Sequence, residues 1–157
     1  MSEPGAKSRK ASQKARKSAS RLWAVKALYQ VRYQDQKAES VLREFQTYRI
    51  DQEIEGECRL VPPQIDLFAA IVRGVKDHQD NLVELVGSCL NERNFQGLEY
   101  ILQSCLLAGA YELWAHHDIP VPIIIDDYVH VTHAYFDQGE ARLVNAVLDR
   151  LAATLRA

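Results

Sequence analysis

Between Pro4 and Gln34 the chain has no Asp or Glu, and over the same stretch it has nine Lys or Arg residues: Lys7, Arg9, Lys10, Lys14, Arg16, Lys17, Arg21, Lys26 and Arg32. The remainder, Asp35 to Ala157, holds 20 acids against 10 bases, so a basic arm of +9 is joined to a body of −10 that the formal total of −2 conceals. Phosphates are held where Lys and Arg cluster, and an acidic body repels polyanions elsewhere. This layout favours a localised nucleic-acid footprint, although basic termini also serve protein and membrane surfaces.

Cysteine is scarce. Cys58, Cys89 and Cys105 are odd in number and far apart, which argues against a disulfide framework and, with no CxxC or nearby Cys/His spacing, against a structural zinc site. No run approaches the roughly 18 apolar residues of a membrane span, and no hydrophobic stretch of a signal peptide opens the chain. A cytoplasmic protein is therefore expected. There is no P-loop, GxGxxG, GxSxG or HExxH. Asp126, His130, His133 and Asp137 fall at i, i+4, i+7 and i+11, a spacing that could offer ligands to a divalent metal. Carboxylates at a helix start and histidines on a polar face account for it more simply. Neither a metal, a cofactor nor a catalytic residue is expected, and the chain reads as a binding protein.

Alternating strand patterns joined by hairpin turns are also missing, so the fold is expected to be all-α, a bundle of about six helices in two three-helix subdomains. A flexible basic arm over 1–17 precedes a single helical domain over 18–157. The first helix is expected to begin at Ser18 or Ser20 and to end near Gln34, with Leu22, Val25, Leu28 and Tyr29 on one stripe. A second, over 37–48, presents Val41, Leu42 and Phe45, and the acidic stretch 49–61 reads as a surface loop. From Pro63 to Leu90, Ile65, Phe68, Val72, Val75, Gln79, Leu82, Val86 and Cys89 fall at steps of three and four and predict one long helix whose seam organises the rest. Another spans 98–115, with Gly109 placed for a close helix approach. Val121 to Ile125 is strand-like in composition but contains Pro122, and reads as a buried entry into a helix capped near Asp126. The last helix covers 140–155.

Lys10, Lys14, Arg16, Lys17 and Arg21 lie within twelve residues. Such a segment can be unfolded alone and extend the first helix once phosphates neutralise it. Trp23, Tyr29 and Tyr33, a turn or more beyond, are candidates for base stacking or for core packing.

Several segments carry a family resemblance: Ala27-Leu28-Tyr29-Gln30 after a basic arm, Gly109-Ala110-Tyr111-Glu112-Leu113, Asp118-Ile119-Pro120, Ile125-Asp126-Asp127, and Leu143-Val144-Asn145-Ala146-Val147-Leu148-Asp149-Arg150. In order and spacing, from about Lys14 to Ala153, the chain resembles the NusB family of transcription antitermination factors. The resemblance implies two three-helix subdomains and a non-enzymatic role. It implies binding to the boxA element of nascent ribosomal RNA together with NusE, a small-subunit ribosomal protein, in an RNA polymerase complex that suppresses premature termination. It also places RNA contacts at Lys17 and Arg21, extended by Lys14 and Arg16, and at a second patch formed by Arg142 and Asn145; Lys10, in a basic tail longer than the family's usual arm, joins them as an RNA contact on the charge pattern alone. A homodimer that covers the RNA surface when idle stays open. Three departures stand out: Leu143 where a phenylalanine is common, Leu107 where an arginine often stands, and Tyr128-Val129-His130-Val131 in place of an Ala-rich, Glu-containing turn.

A second reading, from another class, is a protein-interaction adaptor that binds a basic ribosomal protein through its acidic helical surface. A third, an RNA-modifying enzyme, lacks room for a catalytic domain. For the first reading, four or five neutralised phosphates predict that log K falls with log salt at a slope near −3 to −3.5, at ~0.7 per contact.

Overall fold

A computed structural model describes residues 12–49, 61–91 and 93–156. Among them are seven α-helices: α1 (Gln13–Tyr33), α2 (Ala38–Glu44), α3 (Ile65–Asp77), α4 (Gln79–Ser88), α5 (Tyr100–Ala115), α6 (Val121–His133) and α7 (Gln138–Leu155). A π-helical turn over Phe45–Arg49 prolongs α2, and a 3-10 turn over Phe95–Gly97 leads towards α5.

α1 starts one and a half turns before the expected Ser18, because Ser12 caps it: the Ser12 hydroxyl accepts from the Ala15 amide at 3.0 Å. Lys14, Arg16 and Lys17 are thus helical. At its other end Asp35 takes a left-handed conformation (φ 53°), and the Gln36 amide donates to the Val31 carbonyl at 3.2 Å. That pairing is the Schellman pattern, with an aspartate in the place more often taken by glycine.

The stretch expected as one long helix is two. His78 leaves the helical backbone (φ −118°, ψ 22°) between α3 and α4, in a polar run, Asp77-His78-Gln79-Asp80-Asn81, that gives its helical turn little apolar anchorage. The bend lets both pieces follow α5. Phe68, Val72, Val75, Leu82 and Val86 of the predicted seam are buried, whereas Ile65 is exposed. The organising element is α5 instead: every residue from Leu102 to Ala110 is buried, and the helix packs against α1, α3, α4, α6 and α7. A helix apolar on all sides must lie inside a bundle. Cys105 sits there, its thiol pushed up to about 12 by burial, so it is an inert core residue.

α6 begins at Val121, five residues ahead of the expected cap at Asp126, since Pro122 falls in the first turn, where its missing amide has no partner to lose. α1, α2 and α3 pack on one another, as do α5, α6 and α7, with α1 against α5 joining the groups. Trp23 meets Phe45 edge-on at 5.9 Å and Phe45 meets Phe68 at 6.1 Å, which fixes the α1–α2–α3 corner. Gly109 faces α7, where an added Cβ would lie 2.8 Å from Leu148 Cδ1. Among the described residues, no helix is long and apolar enough to cross a membrane.

Candidate nucleic-acid interface

The first two turns of α1 hold Lys14 exposed and Arg16 and Lys17 half-exposed. They are pinned from two sides. On one, the Ser20 hydroxyl donates to the Gln64 carbonyl (3.0 Å) and accepts from the Gln64 amide (2.7 Å), while the Arg16 guanidinium reaches the Pro62 and Pro63 carbonyls at 3.3 and 3.4 Å. On the other, the Ser18 hydroxyl donates to the Asp127 carboxylate on α6 at 3.0 Å.

Arg21 breaks the pattern. Its side chain is 1% exposed, with Nε 2.6 Å from Glu112 Oε2, Nη2 3.0 Å from Glu112 Oε1 and Nη1 2.6 Å from Asp127 Oδ2. Glu112, on α5, is itself fully buried and also accepts from the Tyr128 hydroxyl at 2.6 Å and pairs with His116 Nδ1 at 2.9 Å. Burial disfavours the charged form of both partners. It pulls the Arg21 guanidinium down and the Glu112 carboxyl up, but the hydrogen bonds outweigh it, so Arg21 is held above and Glu112 below its ordinary range. Burial and the adjacent Glu112 charge push the Tyr128 hydroxyl well up, which keeps it a neutral donor. The expected phosphate contact by Arg21 is therefore corrected: the guanidinium is spent on two carboxylates inside the protein. Tyr128, one of the departures from the family pattern, supplies part of that network.

The second patch is open. Arg142 and Asn145 are exposed on α7, with Arg142 Nη2 donating to Gln138 Oε1 at 3.2 Å. α6 packs on both α1 and α7 and so lies between the two groups of site residues. Leu143 beside them is half-buried, and Leu107 is a core residue with no exposure. Lys10 and Cys58 lie outside the described residues.

Of the candidate stacking residues, Trp23 is core, covered by Lys26 Nζ 4.5 Å above its ring. Tyr29 is half-buried and lies parallel to Tyr33 at 5.2 Å, and Tyr33, 57% exposed, meets Tyr100 edge-on at 5.2 Å. Tyr29, Tyr100 and Tyr135 line an open cleft of about 630 Å³ beside Lys26. Sequence reasoning missed Tyr100 and Tyr135, because Tyr100 opens α5 and Tyr135 lies in the turn after α6, far along the chain from the basic arm, and no local pattern links them. The spacing Asp126, His130, His133, Asp137 does not produce a site: among the described residues, no three His, Cys, Asp or Glu side chains come together in a way that could hold a metal ion.

Comparison with known proteins bears on this geometry. A model of the NusB family matches residues 18–153. A transcription antitermination protein NusB from Rhizobium rhizogenes is 38% identical over 141 residues, 89% of this chain and 88% of its own length. The protein of the same name from Bradyrhizobium sp. BTAi1 is 38% identical over 144 residues, 90% of this chain and 84% of its own. Two solved structures share the fold: T. maritima NusB, with a TM-score of 0.71 at 24% identity over 87% of this chain and 90% of its own, and a chain from the crystal structure of a plectonemic RNA supercoil, with a TM-score of 0.73 at 16% identity over 87% and 94%.

Proposed function

The chain belongs to the NusB family, and on that premise we propose that it is an RNA-binding transcription antitermination factor rather than an enzyme. It binds boxA-type nascent ribosomal RNA together with the ribosomal protein NusE, as part of an antitermination complex on RNA polymerase. The observation that carries the RNA reading is the basic end of α1: Lys14, Arg16 and Lys17 stand at the surface of a body whose remaining charge is strongly acidic, so a polyanion finds its favourable contacts there. Lys10 extends this set along the chain. Arg142 and Asn145, across α6, are placed to meet the strand further on, Asn145 offering a base-edge donor and acceptor and Arg142 a phosphate contact. The tyrosine-lined cleft beside Lys26 supplies ring faces on which unpaired bases can stack.

With Arg21 removed from the contact set, the arm offers Lys10, Lys14, Arg16 and Lys17. The four phosphates they meet and the one met by Arg142 predict a slope of log K against log salt near −3.5, at ~0.7 each. The deciding experiment is fluorescence anisotropy of a boxA-type RNA and a scrambled RNA of equal length, with and without the NusE-like ribosomal protein. Preference for boxA that sharpens when the ribosomal protein is added is the expected result. Equal weak binding to both RNAs, indifferent to the partner, would refute the antitermination role. Binding of the ribosomal protein alone, with no RNA preference, would favour the adaptor reading.

A further inference from the structure

We infer that Arg21 is a positioning residue of the RNA interface, a clamp through which α5 and α6 orient the basic first turns of α1; the inference rests on the RNA reading above. Arg21 stands one helical turn beyond Lys17, at i+4, so its side chain leaves α1 on nearly the same face. The fork closes on Glu112 with two parallel hydrogen bonds and on Asp127 with a third. A bidentate guanidinium pair has one geometry, and a third bond from a separate helix removes the remaining freedom to rotate. Asp127 also holds α1 at a second point, since the same carboxylate accepts from Ser18, which lies next to Lys17. The position of the exposed cations relative to α6, and through α6 to Arg142 and Asn145, is thereby tied to a buried charge network. Ser20 on Gln64 holds the opposite side of the helix, so losing the clamp frees one side while leaving the chain attached.

This assignment separates three roles that share one residue. A phosphate contact contributes ~0.7 to the salt slope, and a lysine can replace it. A positioning residue changes affinity at constant slope, and a lysine, with no fork, cannot replace it. A merely structural residue lowers global stability and leaves both binding quantities alone well below the midpoint.

The test uses the full chain carrying Arg21→Lys or Asp127→Asn. Affinity for a boxA-type RNA is measured across salt, and hydrogen exchange of amides 13–20 is followed in the absence of RNA. Arg21→Lys is expected to weaken binding roughly tenfold with the slope unchanged, and to lose protection in 13–20 while α5 and α7 keep theirs. Asp127→Asn gives a sharper sign. Removing a negative charge near a phosphate-binding face strengthens binding by simple electrostatics, whereas loss of the clamp weakens it. Weaker binding by Asp127→Asn with unchanged slope supports positioning. Affinity at or above that of the unaltered protein in both variants overturns it, as does a slope reduced by ~0.7 in Arg21→Lys or a loss of protection spread evenly over all helices. If the unaltered protein shows no salt-dependent RNA binding, the RNA reading is what fails, and exchange then decides the clamp by itself: protection of 13–20 equal to that of the unaltered protein in both variants overturns it.

Discussion

Lys17 and Arg21 are four residues apart on one helix, carry the same charge, and meet opposite surroundings. Lys17 keeps its ammonium at the surface; Arg21 is enclosed by Glu112 and Asp127, which arrive from helices more than ninety residues along the chain. Charge density along a sequence therefore locates a basic helix without saying which of its cations face outward. What decides is whether neighbouring helices cover the helix face at that level, and here the cover begins within a single turn. The largest test of the contrast is stability. Arg21→Ala leaves two carboxylates without their cation, one of them fully buried, and is expected to cost about 3–5 kcal/mol in denaturant unfolding; Lys17→Ala should fall within about 0.5 kcal/mol of the unaltered protein. Equal effects would erase the distinction between the two residues. In RNA binding the order reverses: replacing Lys14, Arg16 and Lys17 together by Ala should flatten the salt slope by about 2, three contacts at ~0.7, with a loss of stability well below that of Arg21→Ala.

A smaller effect sharpens the same contrast through packing. Gly74 on α3 sits against the Tyr111 ring so closely that an added Cβ would overlap it, whereas at Gly109 the nearest atoms belong to the end of the Leu148 side chain. An aromatic ring held beside His78 and Trp114 has little room to move, while a leucine can rotate its methyl groups. Gly74→Ala should therefore destabilise by about 1–3 kcal/mol. Gly109→Ala should cost less: both glycines sit inside helices and regain the same propensity, up to about 1 kcal/mol, but only at Gly109 can the neighbouring side chain yield.

Acid titration reads the buried network directly. Despite burial, which favours its neutral form, Glu112 is held below the ordinary carboxylate range by His116, Arg21 and Tyr128. A carboxylate depressed in the folded state contributes stability that is fully present above its unfolded value, about pH 4.3, and that is lost as pH falls through the lower folded value. Unfolding free energy should thus decline as pH drops below about 4, and in Glu112→Gln this part of the decline should disappear. A profile unchanged by the substitution would mean that other carboxylates carry the acid sensitivity.

Much of this architecture is legible in the sequence, and the exceptions have specific causes. Periodicity identifies α1, α2, α5 and α7 and their apolar faces, and Gly109 is recognisable as a close-approach position. Where an N-cap serine stands ahead of a purely basic turn, as Ser12 does, composition suggests an arm while the cap starts a helix. Pro122 looks like a breaker until its place in a first turn is known. The break at His78 is marked only by the polar run 77–81, and the three-four steps continue across it through Gln79. The site is legible only as a list of cations. Glu112 reads as part of a family motif and Asp127 as a helix-start carboxylate, and nothing local reveals that both converge on Arg21.

The smallest expected effect isolates why that convergence matters. Arg73 on α3 meets Glu39 on α2 with the same bidentate fork that Arg21 makes with Glu112, at 2.7 and 2.9 Å, yet both side chains are mostly in solvent. The geometry of the two forks is nearly identical, so any difference in their contribution comes from surroundings. In water the charges are screened and each loses little when the other is removed, because solvent takes the vacated place. Around Arg21 no solvent can do so, and Asp127 adds a second acid on the same guanidinium. Arg73→Ala is accordingly expected to leave the denaturation midpoint unchanged within measurement error, at low and at physiological salt. If instead it lowers the midpoint as far as Arg21→Ala does, fork geometry rather than burial is what makes these pairs matter, and enclosure of Arg21 no longer explains how it orients α1.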